Sequence, residues 1–164
     1  MKKRLIPVLL LLAVCLCACG QDAPTEPTRP APEQITGETY DAGAFTLLVP
    51  EGWLAVQEPL GCALYPGAQD AGVFVGVVFR GPEDPYVSSR DQYRKKQDQE
   101  PVTVGDITWK VFTAKRQDIP YTVLTGQSDS CIFEVRICME AESGQSLSLQ
   151  DPEVQAILQS LKIQ

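Results

Sequence analysis

The sequence predicts one α+β domain, in which a mostly antiparallel sheet carries helices on its faces. Short apolar runs alternate with turn residues throughout residues 39–164, as in antiparallel β proteins. The run Val73–Phe79 is apolar on both faces, so it is expected in the middle of a sheet that is covered on both sides. The chain closes on an amphipathic helix, since apolar side chains recur at helical spacing over residues 154–161.

The elements follow from turn chemistry and periodicity. Strands are predicted over Phe45–Val49, Trp53–Val56, Cys62–Tyr65, Val73–Phe79, Val102–Val104, Ile107–Phe112, Tyr121–Thr125 and Cys131–Met139. Gly105-Asp106 is a two-residue hairpin signal between two of these strands. A mid-chain helix is predicted from Asp84-Pro85 to about Gln99, because proline is tolerated in a first turn. Asp151 is the candidate N-cap of the closing helix.

Residues 1–18 have the pattern of an export signal. A basic start at residues 2–4 precedes an apolar run, Leu5–Ala18, that is too short to span a bilayer as a stable helix. The run ends in Leu16-Cys17-Ala18-Cys19, which resembles the bacterial lipobox. Only Cys19 follows a small residue, whereas Cys15 and Cys17 follow bulky ones. The resemblance implies that Cys19 becomes the first mature residue and carries a diacylglycerol thioether that anchors the protein to the membrane.

Residues 19–38 are predicted to be a linker between the lipidated cysteine and the folded domain, residues 39–164. Four prolines lie between Gly20 and Glu38 among small and polar residues. Such a segment buries too little apolar surface to fold, and its prolines favour an extended chain. We therefore expect an exported protein held at the cell membrane, on the outer face of the cytoplasmic membrane in a Gram-positive cell.

Charge and composition narrow the classes of function. The net charge is −7, and once residues 1–18 are removed the remaining 11 basic and 21 acidic residues give −10. This acidity argues against nucleic acid as a partner and favours the lipid, not a basic patch, as the membrane anchor. The chain has no histidine, the commonest general base and metal ligand. No cofactor, metal or catalytic residue is predicted.

The order of elements resembles a known fold. The strand Phe45–Val49, the turn Pro50-Glu51-Gly52-Trp53, the mid-chain helix, the strand Ile107–Phe112 and the end Ser160-Leu161-Lys162 resemble the PsbP-like fold. That superfamily includes extrinsic subunits of photosystem II and small bacterial lipoproteins of the DcrB type. The resemblance covers residues 40–163 and implies an antiparallel sheet with helices on its faces and an accessory or docking role. It carries over no functional residue.

Three cysteines, Cys62, Cys131 and Cys138, lie in the predicted domain. Cys131 and Cys138 are seven residues apart in one predicted strand, so they face opposite sides about 23 Å apart and cannot pair unless that segment folds back. Cys131 shares its face with core residues, whereas Cys138 shares the other face with Glu134 and Arg136. Export allows a disulfide from Cys62 to either of them, and three buried thiols are the alternative. The spacing lacks a CxxC pair, so no metal site is expected.

Two further groups of residues have an ordinary and a functional interpretation. Arg90, Arg94, Lys95 and Lys96 make a basic patch on the predicted mid-chain helix, with Lys115-Arg116 elsewhere. The patch is either a solvated helix face or a surface for an acidic protein or cell-wall polyanion. Trp53 and Trp109 belong either to the core or to a sugar-stacking site.

The leading functional prediction is therefore a non-enzymatic accessory or docking module of the cell envelope, with an envelope protein as partner. A small-ligand or glycan-binding lipoprotein is the first alternative. A hydrolase is the second, and it would need clustered carboxylates or a Ser/Lys pair in a cleft.

Overall fold

Two antiparallel sheets and one α-helix make up the part of the chain that the computed structural model describes, residues 34–67, 72–81, 89–127, 131–141 and 144–164. The export signal, Cys19 and most of the predicted linker lie outside the described residues. The elements are β1 (Gly37–Asp41), β2 (Phe45–Pro50), β3 (Trp53–Glu58), β4 (Gly61–Pro66), β5 (Phe74–Arg80), β6 (Arg94–Val104), β7 (Ile107–Arg116), β8 (Ile119–Gln127), β9 (Ile132–Cys138), α1 (Pro152–Ser160) and β10 (Lys162–Ile163).

The larger sheet has seven strands in the order β3-β4-β5-β9-β8-β7-β6, and the smaller sheet has three in the order β1-β2-β10. All paired strands are antiparallel. The α+β fold class is therefore the predicted one. Each predicted strand is present, and β5 is an internal strand as its apolar run indicated. β1 begins at Gly37, two residues before the predicted start of the domain.

The main core lies between one face of the seven-stranded sheet, here the first face, and the layer formed by β2 and α1. Phe45 and Leu47 of β2 and three side chains of α1 pack there against alternate residues of the large sheet. The α1 residues are Val154, Ile157 and Leu158. The amphipathic stripe predicted for the closing helix is thus confirmed.

The start of α1 differs from the prediction in one detail. Asp151 occupies the N-cap position, but its carboxylate does not cap the helix. It accepts a hydrogen bond from the backbone N–H of Ser148 at 2.8 Å instead, which closes the preceding turn.

The predicted mid-chain helix is wrong over its described part. Ser89–Gln92 form a short 3-10 helix, and from Arg94 the chain runs as the edge strand β6. The described segment offers one buried apolar side chain, Tyr93, so a helix would have no apolar stripe to pack. Pairing with β7 satisfies the backbone instead, and the predicted hairpin at Gly105-Asp106 joins the two strands.

No helix among the described residues is long and apolar enough to cross a membrane.

Candidate functional site

The opposite, or second, face of the large sheet carries the polar side chains that the core does not use. Strand β9 shows the alternation: Phe133, Val135 and Ile137 point into the main core, as predicted for the face of Cys131. Because strand residues alternate in direction, Glu134, Arg136 and Cys138 lie on the second face. The structure thus confirms the predicted division of this strand.

A row of aromatic rings crosses the second face and forms its apolar floor. The ring centroids of Tyr65 and Phe74 are 5.7 Å apart, and those of Phe74 and Tyr121 are 6.2 Å apart. The row continues from Tyr121 to Tyr93 at 5.7 Å and from Tyr93 to Phe112 at 5.8 Å. These pairs are tilted or edge-to-face, the arrangements that aromatic quadrupoles favour.

Arg136 lies over a gap in this floor. Its cross-strand neighbour on β5 is Gly76, and a Cβ on that glycine would stand 3.4 Å from Nη2 and 3.5 Å from Nε of Arg136. Nη2 is 3.5 Å from Oε2 of Glu58, a long ion pair. The side chain of Arg136 is 20% exposed, and its buried Nε has no hydrogen-bond partner among the described residues.

Glu134 and Tyr93 are the more deeply buried polar neighbours of Arg136. Glu134 is 7% exposed and accepts a weak hydrogen bond from the backbone N–H of Ser89 at 3.4 Å. Tyr93 is 3% exposed. Burial raises the pKa of Tyr93; the charge of Arg136 opposes this shift, and that of Glu134 reinforces it. The phenol therefore stays protonated at neutral pH.

Glu134 and Arg136 line a surface groove of about 260 Å³, called here the Arg136 groove. Its other polar lining residues are Glu58, Arg80, Ser89 and Gln92, and the rest of the lining is apolar. The groove thus contains two cationic and two anionic side chains. The sequence predicted which face of β9 these two charged residues occupy, but not that β3, β5 and β9 would bring all four together.

A second polar site lies where β6 begins and β7 ends. Arg94 stands directly opposite Lys115 in the strand register. With Lys95 and Arg116 they line a groove of about 560 Å³, and these four residues are called here the basic corner. The sequence placed Lys115-Arg116 apart from the basic patch, so the structure unites two groups that were predicted to be separate.

Three residues beside the basic corner have positive φ: 51° at Lys95, 52° at Gln117 and 65° at Asp118. Gln117-Asp118 form the two-residue turn between β7 and β8, where a type I′ hairpin requires positive φ at both positions. Lys95 lies at the register shift that follows Arg94. Gln92 lines both the basic corner and the Arg136 groove, so the two sites are neighbours.

The other members of the predicted basic patch have acidic partners. Arg90 forms an ion pair with Asp98 at 2.7 Å and stacks over the ring of Phe112 at 4.7 Å. Lys96 lies 3.9 Å from Asp91. These two cations are therefore partly neutralised and are not counted with the basic corner.

The three cysteines of the domain are all buried, and no disulfide joins any two of them. In the strand register, Cys62 on β4 lies opposite Val77 on β5, and Val77 lies opposite Val135 on β9. Val135 is four residues from Cys131 and three residues from Cys138 along the chain. Two strand spacings alone separate Cys62 from β9 by about 10 Å. A disulfide tolerates Cα atoms at most about 7 Å apart, so the register keeps the thiols from pairing.

The two tryptophans have different environments. Trp109 is fully buried in the main core. It packs on Gly126, where a Cβ would come within 2.9 Å of the indole ring. Trp53 is half-buried and lines a shallow groove of about 510 Å³ beside β1 and the turn after β2.

Among the described residues no three potential metal ligands come together.

Comparisons with known proteins give a fold and no family. No protein-family model matches the chain, and no curated protein matches it. Among solved structures, a crystal structure from Bacteroides thetaiotaomicron matches with a TM-score of 0.51 and 12% identity, over 78% of this chain and 48% of that chain. This chain thus spans about half of that protein's length.

The solution structure of cyanobacterial PsbP (CyanoP) from Synechocystis matches with a TM-score of 0.48 and 8% identity, over 82% of this chain and 96% of that chain. A PsbP structure is therefore among the solved structures that this chain is similar to. The 12% identity with the Bacteroides protein relates the chain to that protein by fold alone.

Proposed function

We propose that the chain is a lipid-anchored protein of the cell envelope whose domain docks an acidic segment of an envelope protein and performs no catalysis. The observation that carries the proposal is the basic corner on a chain whose net charge is −7. Its groove is lined by four cations and one carboxylate, that of Asp118, although the chain as a whole is acidic. A concentrated patch of one charge attracts and orients a partner of the opposite charge.

The cross-strand pair of Arg94 and Lys115 supports this proposal. Like charges directly opposite each other destabilise an antiparallel pair. This like-charge pair does not help the domain to fold, whereas an acidic partner that neutralises the corner would relieve the repulsion. A membrane tether would also raise the local concentration of the domain at its partner.

A photo-crosslinking residue at the exposed Gln92, beside the basic corner, tests the proposal in intact cells. We expect one discrete adduct with an acidic envelope protein. Lys115→Glu should abolish it, and should not harm folding because it places an acid opposite Arg94. The matched control is Lys110→Glu, the same charge change at an exposed position on the same strand. An adduct that survives Lys115→Glu, or is lost equally in both variants, would reject the basic corner as the docking surface.

Trp53 supports a second candidate function, the binding of a small ligand or glycan. Its half-buried indole lies in a groove with residues of β1 and β2, which suits stacking on a sugar ring. Because Trp109 is fully buried, a saturable change in indole fluorescence on glycan titration that is lost in Trp53→Phe would favour this function. No change with any envelope glycan would leave docking as the better proposal.

A further inference from the structure

We propose that the Arg136 groove is a binding site for a small ligand that carries an oxyanion, a carboxylate or a phosphate. The site uses none of the basic-corner residues, so this proposal can be tested independently of the docking proposal. The first observation is a set of buried polar atoms without hydrogen-bond partners among the described residues, namely Nε of Arg136, the hydroxyl of Tyr93 and Oγ of Ser89.

Such atoms are rare, because a buried polar group that loses water and gains no partner destabilises the fold. Three of the four such atoms among the described residues belong to neighbouring residues, and the fourth, Nε1 of Trp109, lies in the main core. Arg136 and Ser89 both line the groove. Tyr93 lies close enough to Arg136 that the charge of Arg136 acts to lower the pKa of Tyr93. The Ser89 hydroxyl lies close enough to the Tyr93 phenol for a weak hydrogen bond that lowers the pKa of Tyr93, but neither hydroxyl has a partner of full hydrogen-bond geometry among the described residues.

The chemistry of these groups selects an acceptor. The guanidinium N–H groups of Arg136 only donate, and both hydroxyls can donate. In a guanidinium group, Nε–H and one terminal nitrogen form a planar fork that matches the two oxygens of a carboxylate or phosphate. Among the described residues, Nε of Arg136 has no partner, and Nη2 lies at the long distance of 3.5 Å from Oε2 of Glu58.

Glu58 is the group that the ligand would replace. Its side chain is 39% exposed, so it can move into water when another oxyanion binds Arg136. Gly76 lies beneath the guanidinium, at a distance where a Cβ would make ordinary contact with it. The volume of about 260 Å³ lies just below the usual range of small-molecule pockets, which limits the ligand to a small molecule.

The nitrogen-15 resonance of the Arg136 Nε–H group provides a direct measurement, with the full chain in neutral detergent and succinate or inorganic phosphate as the probe. We expect a saturable shift with at least one probe, and the one that saturates at lower concentration distinguishes a carboxylate from a phosphate ligand. Glu58→Gln should tighten binding several-fold, because it removes the competing charge. That gain would not arise if Arg136 were merely structural.

Arg136→Lys keeps the charge but loses the fork, so binding measured by calorimetry should weaken at least tenfold. Lys115→Glu should leave it unchanged, which separates this site from the basic corner. If neither probe shifts the Nε–H resonance, or if Glu58→Gln weakens binding, the proposal is rejected. Shifts confined to backbone amides of the basic corner would also reject it. Dispersed amide spectra of each variant would show that it is folded.

Discussion

At the scale of single residues, two glycines of the seven-stranded sheet lie directly across from large side chains. Gly126 leaves room for the indole of Trp109 in the main core, because a Cβ there would come within 2.9 Å of the ring. Gly76 lies beneath the guanidinium of Arg136 on the second face, where a Cβ would make ordinary contacts of 3.4 and 3.5 Å with it. The packing of Trp109 therefore requires a glycine, whereas the position of Arg136 does not.

The buried thiol of Cys62 makes stability depend on pH at the alkaline end. Burial raises its pKa from the ordinary 9.0 to about 12, and the charge of Glu58 adds to the shift. Between these values the unfolded chain has released the proton while the folded chain still holds it. The unfolded state then binds fewer protons, so the free energy of unfolding falls as the pH rises.

Urea unfolding measured from pH 7 to about pH 11 tests this expectation. Cys62→Ala should show a shallower decline than the wild type, whatever its absolute stability, because the shifted thiol is gone. Equal slopes in the two proteins would mean that Cys62 does not contribute to the pH dependence.

At the scale of elements, α1 joins the two sheets through one polar residue and one apolar stripe. Ser160, at the end of the helix, accepts a hydrogen bond from the backbone N–H of Leu48 at 2.7 Å and donates one to the carbonyl of Ile157 at 2.8 Å. β10 follows at once and pairs with β2. The helix is therefore fixed to β2 at its C-terminal end.

Leu158→Asp should destabilise the domain by at least about 3 kcal/mol, because it removes a fully buried side chain and introduces a charge into the main core. Gln159→Asp is the matched control, since Gln159 is the next residue and is exposed. It should change stability by no more than about 0.5 kcal/mol. Denaturant unfolding of both variants gives the comparison, and equal stability would mean that α1 is not docked.

Most of strand β6 could not be predicted from its local sequence pattern. Its outer positions are polar and exposed almost throughout, and register shifts follow Arg94 and Gln99. A polar segment without alternation gives no strand signal of its own. Its charges and irregular register do suit an edge strand, because they discourage pairing with another chain.

At the scale of the whole molecule, the charge distribution is uneven. The chain as a whole is acidic, yet the grooves at the basic corner and at Arg136 are lined by six cationic side chains and three anionic ones. The cations are Arg80, Arg94, Lys95, Lys115, Arg116 and Arg136, and the anions are Glu58, Asp118 and Glu134. Net charge alone would exclude an acidic partner, whereas the local distribution favours one. A partner and a small ligand could then be bound side by side.

Lipid attachment at Cys19, outside the described residues, is the prediction that concerns the whole chain. Metabolic labelling of bacteria with a clickable fatty acid should mark the wild type. Cys19→Ser should abolish the label, and Cys17→Ser should retain it, because only Cys19 follows a small residue. The reverse result would place the cleavage site before Cys17 instead.

The sequence by itself determined the strands with alternating or wholly apolar patterns, the Gly105-Asp106 hairpin, the stripe of α1 and the two faces of β9. Each of these depends on residues that are close in the chain. Only the tertiary structure decided that Arg94 meets Lys115, that Arg136 lies over Gly76, and that Cys62 is held away from β9. These contacts depend on strand order and register. Both are determined by the burial of the apolar faces of all the strands in one core, and no local sequence pattern specifies them.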